Sequence, residues 1–279
     1  MIRRVFFLLF AAVAAVIPAA LPALAETERP SQCFAIARSF SAVVPATYVE
    51  VAMEAHEVEI AFVTHSTYRL TSAGGVTIAT DFSGYAGSGK LPDVVTMNHA
   101  HSTHYTDVPD PAIKHVLRGW NPGGGPAKHR ITVGEFLIRN VPTDIRTFAG
   151  GFEKDGNSIF IFEIGGLCIG HLGHLHHRLT ASHFGKIGRL DIVMVPVDGG
   201  YTLALSSVLE LLQKVRASIV LPMHAFGPST LNRFLGEIGK SYQIEYVKSD
   251  RFTVSLNSLP ERPVVRVLQG VGFPGYLDE

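Results

Sequence analysis

Short apolar runs separated by turn residues dominate the chain from residue 59 onward. Runs of this length that are rich in β-branched and aromatic residues are typical of strands. Gly74-Gly75 and Gly165-Gly166 each lie between two neighbouring runs, as expected for hairpin turns. The pattern predicts strands at residues 59–64, 68–71, 76–80, 93–97, 131–133, 136–138, 158–164, 167–169, 192–195, 219–223, 244–247 and 252–256.

Helical spacing is found between and before these strands. A helix with one apolar face is predicted at residues 203–215, and another at 229–238 with Ser229 as its N-cap. Weak periodicity at residues 35–44 predicts a leading helix or arm. The order, strands first and then alternating strands and helices, predicts an α/β protein arranged as a four-layer sandwich.

The first 25 residues have the features of a secretory signal peptide. Arg3-Arg4 provide a positive start, residues 5–17 form an apolar core, and Ala23-Leu24-Ala25 is a small-x-small cleavage sequence. Two prolines interrupt the apolar stretch, which argues against a stable membrane span. We therefore expect export, most simply to a bacterial periplasm, with a retained N-terminal anchor as the alternative. Residues 26–279 are then one large domain.

The charge balance argues against nucleic acid as a partner, and the expected partner is a small-molecule substrate. Charged residues make up 17% of the chain, with 24 basic and 24 acidic side chains, so there is no net charge to attract a polyanion. The cysteines are Cys33 and Cys168, and the sequence leaves open whether they pair. It does not indicate an oligomeric state.

His99, His101 and His104 follow directly after the predicted strand at 93–97. The loop that follows a strand brings successive side chains to the edge of the sheet, so these imidazoles could converge on one point. Neutral imidazole suits zinc, iron, copper or nickel, and three such ligands leave a position open for water. The alternative is a run of surface histidines in a loop.

Other strand ends also carry histidine. His171 and His174 follow the strand at 167–169, and His224 follows the strand at 219–223. Because sites in layered α/β folds form at one edge of the sheet, convergence on one metal is the simplest interpretation. His176 and His177 either support this site or begin the next polar segment.

His65 and Asp81 each end a strand-like run as well. Either side chain could orient a metal ligand through a hydrogen bond. The alternatives are a core histidine and a turn-forming aspartate.

Six motifs in order carry a family resemblance, which covers about residues 55–230. The motifs are Thr64-His65-Ser66-Thr67, Thr80-Asp81, His99-x-His101-x-Thr103-His104, His171-Leu172-Gly173-His174-Leu175, Pro196-Val197-Asp198-Gly199-Gly200-Tyr201-Thr202 and Leu221-Pro222-Met223-His224. With these motifs the chain is similar to the metallo-β-lactamase fold superfamily, and within it to the branch of the ascorbate-phosphate lactonase and related metal-dependent hydrolases. The resemblance implies an αββα sandwich, a site for one or two metal ions at the edge between two sheets, and hydrolysis by a metal-bound hydroxide.

Several positions depart from the family pattern, among them His176 and Asp198, which each replace a glycine. Thr103 stands where the family has a metal-binding aspartate, and His174 where an aspartate bridges two metals. Asp144 lies in a segment where a histidine is expected. Imidazole favours one metal where carboxylates bridge two, so the substitutions predict one tightly held ion or two ions in a nitrogen-rich shell. Loss of activity is a third interpretation.

The resulting hypothesis is an exported metal-dependent hydrolase that contains zinc or another divalent metal, one or two ions. Its substrate would be an ester, lactone or phosphoester. The alternative is a catalytically degenerate metal- or ligand-binding protein of the same fold. Asp198 could act as a proton shuttle, or simply be a turn aspartate before Gly199-Gly200. The expected metal ligands are His99, His101, His104, His174 and His224, and the weaker or supporting candidates are His65, Asp81, Thr103, Asp144 and His171.

Overall fold

Strands account for most of the regular structure in this computed structural model, which describes residues 29–34, 56–147 and 149–271. The strands are β1 (Val58–Thr64), β2 (Thr67–Ser72), β3 (Thr77–Ala79), β4 (Val94–Met97), β5 (His115–Arg118), β6 (Arg130–Val133), β7 (Phe136–Arg146), β8 (Phe152–Ile164), β9 (Leu167–His171), β10 (Ile192–Pro196), β11 (Ile219–Met223), β12 (Gln243–Val247), β13 (Arg251–Val254) and β14 (Val264–Leu268). The helices are α1 (Ala181–Ile187), α2 (Leu205–Val215) and α3 (Pro228–Ile238). The predicted signal peptide and the predicted helix at 35–44 lie outside the described residues. No helix within the described ranges is long and apolar enough to cross a membrane.

The strands form two sheets. One has six strands in the order β13-β1-β2-β3-β4-β5, and the other has eight in the order β12-β14-β11-β10-β9-β8-β7-β6. Strands β3, β4 and β5 are parallel to one another in the first sheet, and so are β9, β10 and β11 in the second. Parallel neighbours bring their carboxyl ends to one edge of a sheet. The segments that follow β3, β4, β9, β10 and β11 therefore lie along two such edges.

One apolar core joins the two sheets with α2 and α3. It includes Ile60 and Leu70 from the first sheet and Phe160 and Phe162 from the second, all of them buried. The hydroxyl of Tyr68 in β2 donates 2.9 Å to the carbonyl of Pro222 in β11, which links the two sheets near the histidine segments. This architecture confirms the α/β sandwich predicted from the sequence.

Several elements differ from the prediction. Strand β5 has one buried side chain, Leu117, and α1 is short, so neither produces a clear periodic pattern. Strand β7 continues through Pro142, a residue that normally argues against a strand, since Pro142 pairs with Ser158 in β8. Helix α3 begins at Pro228 with Gly227 as its N-cap, so the predicted cap at Ser229 is wrong. Proline is well suited to the first helical turn, where its missing N–H needs no acceptor.

Residues 29–34 are attached to the second sheet by a disulfide and by polar contacts. Cys33 is bonded to Cys168 in β9, with a Cα–Cα distance of 5.9 Å. Glu163 in β8 accepts hydrogen bonds from the Ser31 hydroxyl and the Gln32 N–H, and it forms a buried ion pair of 2.7 Å with Arg139. The pairing of the two cysteines, which the sequence left open, is therefore present in the structure.

Candidate metal centre

Four histidines from both sheets meet where the parallel strands end. His101 and His104 lie in the segment after β4, His174 follows β9, and His224 follows β11. Each offers one ring nitrogen, and these four nitrogens lie within 4.8 Å of one another. The Nε2 atoms of His101 and His174 are 3.0 Å apart. His104, His174 and His224 are buried, whereas His101 is half-buried.

Two ring nitrogens in this cluster are buried without a hydrogen-bond partner. They are the Nε2 atoms of His104 and His224. Their other nitrogens are occupied: His104 Nδ1 donates to Asp81 Oδ2 at 2.6 Å, and His224 Nδ1 donates to Asp198 Oδ1 at 3.0 Å. Each Nε2 lone pair is therefore directed into the cluster, and a buried acceptor without a partner costs about 1–3 kcal/mol.

The cluster fits a metal ion. Histidine ligands bind zinc at about 2.0–2.1 Å, so two nitrogens on one ion are at most about 4.2 Å apart. The observed spread of up to 4.8 Å needs a side-chain adjustment of less than an ångström. A carboxylate on the far nitrogen of a ligating histidine is the usual support for such a ring.

Burial keeps the ligand nitrogens neutral. It lowers the pKa of His104 well below the usual value, and the neighbouring His224 and His101 lower it further. It lowers the pKa of His174 in the same way, with His104 and His224 adding to the effect. The pKa of His101 is lowered by burial and by His224, although Asp81 and Asp198 oppose that change. Neutral imidazole is the form that binds a metal.

Asp81 holds His104 and Asn98 together. Its carboxylate is fully buried, and the Asn98 side-chain amide donates to it at 2.6 Å. Burial raises the pKa of Asp81, while His171 and the Asn98 hydrogen bond oppose the rise. Asp81 also has a positive φ of 46°, so the backbone adopts an uncommon conformation to aim this carboxylate. Asp81 therefore fixes the ring of His104 through a hydrogen bond, and its role as the support of a metal ligand stays a prediction.

Asp198 lies behind His224, and hydrogen bonds occupy both of its carboxylate oxygens. One carboxylate oxygen accepts hydrogen bonds from the backbone N–H groups of Gly200, Tyr201 and Thr202, and the other accepts from His224 and the Thr202 hydroxyl. Burial alone would raise the pKa of Asp198, but the hydrogen bonds from His224, Thr202 and Gly200 outweigh it and hold that pKa well below its usual value. A carboxylate this strongly hydrogen-bonded stays ionised near neutral pH, and its role as a proton shuttle stays a prediction.

His99 is separated from the cluster, contrary to expectation. Its Nδ1 lies 2.9 Å from Glu153 Oε1, and its ring stacks on Trp120 with centroids 4.9 Å apart. In a strand, residues two apart point to the same face, but the segment after β4 is irregular, so His99 and His101 need not point to the same place. Sequence spacing could not show that Glu153 and Trp120 are the neighbours of His99.

The weaker candidates surround the cluster without joining it. Thr103 Oγ1 is 2.8 Å from His101 Nδ1, so it contacts the nitrogen of His101 that faces away from the cluster. Asp144 accepts from the Asp155 N–H, and His171 bonds the Ser66 carbonyl and the Gly173 N–H.

His65 stands closer to the cluster than these. Its ring lies 4.1 Å from that of His224, between centroids, and its Nε2 is also buried without a partner. Burial lowers the pKa of His65 to about 3, and His224 and His104 contribute to the shift.

Sequence reasoning missed two residues at the site. Asn98 links Asp81 to the Ser158 N–H, and its position directly after β4 was the signal that could have identified it. Arg146 donates to the backbone next to Asp198, and nothing in its local sequence indicates that contact. His176, weighed as a supporting residue, does support His174: its Nε2 lies 2.5 Å from His174 Nδ1, and its Nδ1 accepts from the Arg146 N–H.

A cavity of about 280 Å³ opens beside the cluster. Among the residues that line it are His101, His174, His176, Arg146 and Tyr201. Two larger cavities, lined by residues between 116 and 129 and between 126 and 186, do not include any of the four clustered histidines. The smaller cavity is therefore the place where a substrate would meet the cluster.

Residues 59–224, more than half of the chain, match the beta-lactamase superfamily domain. The chain belongs to this superfamily. It is 24% identical over 151 residues to a metal-dependent hydrolase of Methanoregula boonei, across 49% of this chain and 68% of that relative.

Two solved structures have the same fold. A candidate zinc-dependent hydrolase of the metallo-β-lactamase superfamily from Thermotoga maritima is 26% identical, with a TM-score of 0.56 over 76% of this chain and 98% of that chain. A candidate metal-dependent hydrolase from Parabacteroides distasonis is 18% identical, with a TM-score of 0.53 over 67% and 90% of the two chains, and shows the fold alone. Family and relatives together support a hydrolase, as the motifs predicted.

Proposed function

We propose that this protein is an exported hydrolase that binds one divalent metal ion through His101, His104, His174 and His224. The observation that carries the proposal is the pair of buried Nε2 atoms, on His104 and His224, that face the cluster without a partner. Zinc is the proposed ion, because it favours imidazole nitrogen and four-coordination. The expected substrates are esters, lactones or phosphoesters.

One ion is proposed because the groups that would hold a second are absent or turned away. The four-histidine group contains no carboxylate among the described residues. Thr103 is uncharged and contacts His101, and His99 is paired with Glu153. A second divalent ion would therefore be close to the first without a negative charge between them.

The residues around the cluster position the reactants. A divalent ion bound there would act as a Lewis acid and lower the pKa of a water molecule. Asp81 and Asp198 hold His104 and His224 in the tautomer that presents Nε2. His176 fixes the ring of His174. The cavity beside His101 receives the substrate.

A second function, metal binding without catalysis, is favoured by the number of histidines. Four protein ligands fill a tetrahedral shell, which is typical of structural zinc sites, whereas catalytic sites keep one position open. His101 is the half-buried member and lines the cavity, so it is the ligand whose position water or substrate would share or take. Catalysis therefore requires either five-coordination or displacement of His101.

Export is proposed from two features. Residues 1–25 have the pattern of a signal peptide. The disulfide between Cys33 and Cys168 supports the same location, because disulfides persist in oxidising compartments and are rare in the cytosol.

Turnover of a substrate panel by the zinc-loaded protein tests the hydrolase proposal. The panel should include an ester, a lactone, a lactam, a phosphate monoester and a phosphodiester. We expect turnover that a chelator abolishes and zinc restores, that His224→Ala lacks, and that the exposed control His56→Ala retains. Tight zinc binding with no turnover of any substrate would instead support the binding protein.

A further inference from the structure

The cavity beside the four histidines has a cationic wall at Arg146. No acidic side chain is among the described residues that line it. The buried carboxylates of Asp81 and Asp198 accept hydrogen bonds from His104 and His224. A guanidinium in a concave site without a compensating carboxylate favours a negatively charged ligand.

Arg146 is held by one of its nitrogens. Arg146 is the last residue of β7. Its Nη2 donates to the carbonyls of Gly200, Tyr201 and Thr202 at 2.9, 2.8 and 2.8 Å. Its Nε and Nη1 groups make no hydrogen bond within the described ranges. An anchored guanidinium with donors left over is pre-organised for a carboxylate or a phosphate.

The opposite side of the same backbone segment is fixed as well. The N–H groups of Gly200, Tyr201 and Thr202 all donate to Asp198 Oδ2, at 2.8, 2.6 and 3.1 Å. The segment therefore lies between the Asp198 carboxylate, which accepts hydrogen bonds from its N–H groups, and the Arg146 guanidinium, which donates to its carbonyls. A wall fixed from both sides needs little further ordering when a ligand binds, which favours affinity.

Tyr201 and Phe226 form an aromatic wall next to this segment. Their rings are 68% and 51% exposed and lie 5.3 Å apart between centroids. Phe226 in turn lies 4.8 Å from the ring of His224, so the aromatic surface reaches the proposed metal site. Exposed aromatic side chains beside a polar site suit the apolar body of a small ligand.

We propose that Arg146 binds an anionic group of the substrate, a carboxylate or a phosphate, while the apolar part of the substrate contacts Tyr201. This inference rests on the proposed hydrolase function and adds the substrate class: a small ester or lactone that carries a negative charge. A volume of about 280 Å³ is near the lower limit for small-molecule sites, which excludes large or polymeric substrates from full burial.

Binding of three small aromatic probes to the zinc-loaded protein tests this proposal. Benzoate and phenylphosphonate carry the two candidate anions, and benzamide is the neutral counterpart. Calorimetric titration should compare the wild type with Arg146→Gln, Arg146→Lys and the control Arg251→Gln, whose side chain is an exposed arginine of β13. Zinc itself attracts anions equally in every variant, so the difference between wild type and Arg146→Gln isolates Arg146.

We expect wild type and Arg251→Gln to bind at least one anion about tenfold or more tightly than benzamide. Arg146→Gln should lose about tenfold in affinity for that anion and keep its affinity for benzamide, while Arg146→Lys, which keeps the charge, falls between. The preferred anion identifies carboxylate or phosphate. Equal anion affinity in wild type and Arg146→Gln, or no anion preference in the wild type, would overturn the proposal.

Zinc content and panel turnover, measured on the same preparations, separate the two proposals. If Arg146→Gln loses the anion preference and the zinc-loaded wild type turns over no substrate of the panel, the hydrolase function alone is contradicted. Turnover without any role for Arg146 in anion binding contradicts only the substrate class. If Arg146→Gln fails to fold, a wild-type level of anion binding in Arg146→Lys would count against the need for the guanidinium fork.

Discussion

His224 Nδ1 donates a hydrogen bond of 3.0 Å to Asp198 Oδ1, and both side chains are buried. The same carboxylate accepts three backbone N–H groups from residues 200–202. One aspartate therefore joins the orientation of a proposed metal ligand to the shape of the cavity wall. A change at Asp198 should affect metal affinity and cavity structure together.

Asp198→Asn should weaken zinc binding by about 10–100-fold, the usual effect of removing such a supporting carboxylate. The amide has one acceptor oxygen where the carboxylate has two, and it does not attract the N–H of His224 as a full negative charge does. Competition with a chromogenic chelator measures the affinity. Asp250→Asn, a change of an exposed aspartate that pairs with Arg251, is the matched control. Wild-type affinity in Asp198→Asn would show that this hydrogen bond does not support the metal site.

The zinc contents of His99→Ala and His101→Ala distinguish the ligands that the family motif implies from the histidines that cluster in the structure. The family motif makes both residues ligands, whereas here His101 lies in the cluster and His99 is paired with Glu153. We therefore expect His99→Ala to keep one zinc per chain and His101→Ala to lose zinc or bind it much more weakly. Elemental analysis after gel filtration measures the content. Zinc loss in His99→Ala with retention in His101→Ala would reverse the proposed ligand set.

The sequence predicted where the site lies better than which atoms form it. Strand-end histidines at 101, 104, 174 and 224 were identified because parallel strands bring their carboxyl ends to one edge, a rule that depends on element order alone. The place of Asp81 followed from the same rule. Side-chain direction in the irregular segment after β4 depends on tertiary contacts, so the position of His99 against Trp120 could not be read from spacing.

Contacts between distant segments could not be predicted from the sequence either. From the sequence alone, Asp198 could be a turn aspartate or a proton shuttle. Its hydrogen bond with His224, 26 residues later in the chain, is visible only in the structure. Arg146 is 54 residues from Gly200, whose carbonyl it binds. Strand β7 was predicted to be shorter because Pro142 is a poor strand residue, and only the pairing with β8 overrides that local preference.

Stability of the metal-free protein should fall as the pH drops below about 6.5, and His171 should contribute. Its Nε2 donates to the Ser66 carbonyl at 2.8 Å and its Nδ1 accepts from Gly173 at 3.0 Å, so the buried ring is neutral. Burial lowers the pKa of His171 from 6.5, although Asp81 and the Ser66 carbonyl oppose the shift. Below 6.5 the unfolded chain binds a proton that the folded chain does not. That difference reduces the free energy of unfolding by up to about 1.4 kcal/mol per pH unit.

His171→Gln checks this contribution, because glutamine can make similar hydrogen bonds and does not titrate. Urea unfolding between pH 5 and 8 in the presence of a chelator should give a shallower pH dependence for the variant than for the wild type. Parallel curves for the two proteins would contradict the assignment of His171 as a neutral buried residue.

Replacing both Cys33 and Cys168 with Ala should lower the free energy of unfolding by about 2–5 kcal/mol. The disulfide closes a separation of 135 residues, and a long closed loop restricts the unfolded chain strongly. Denaturant unfolding measures the loss, and zinc content in native buffer should stay the same because neither cysteine lies in the four-histidine cluster. A reducing agent should destabilise the wild type and leave the double variant unaffected. An unchanged wild-type transition under reduction would mean that this bond does not form.

The most direct test of the account is the metal content of the purified mature protein, measured by inductively coupled plasma mass spectrometry. We expect one zinc or other divalent ion per chain, and less than about a tenth of that in a His104→Ala, His224→Ala double variant, which removes the two unpartnered nitrogens of the four-histidine cluster. Two ions per chain in the wild type, or the same content in wild type and double variant, would contradict the four-histidine site.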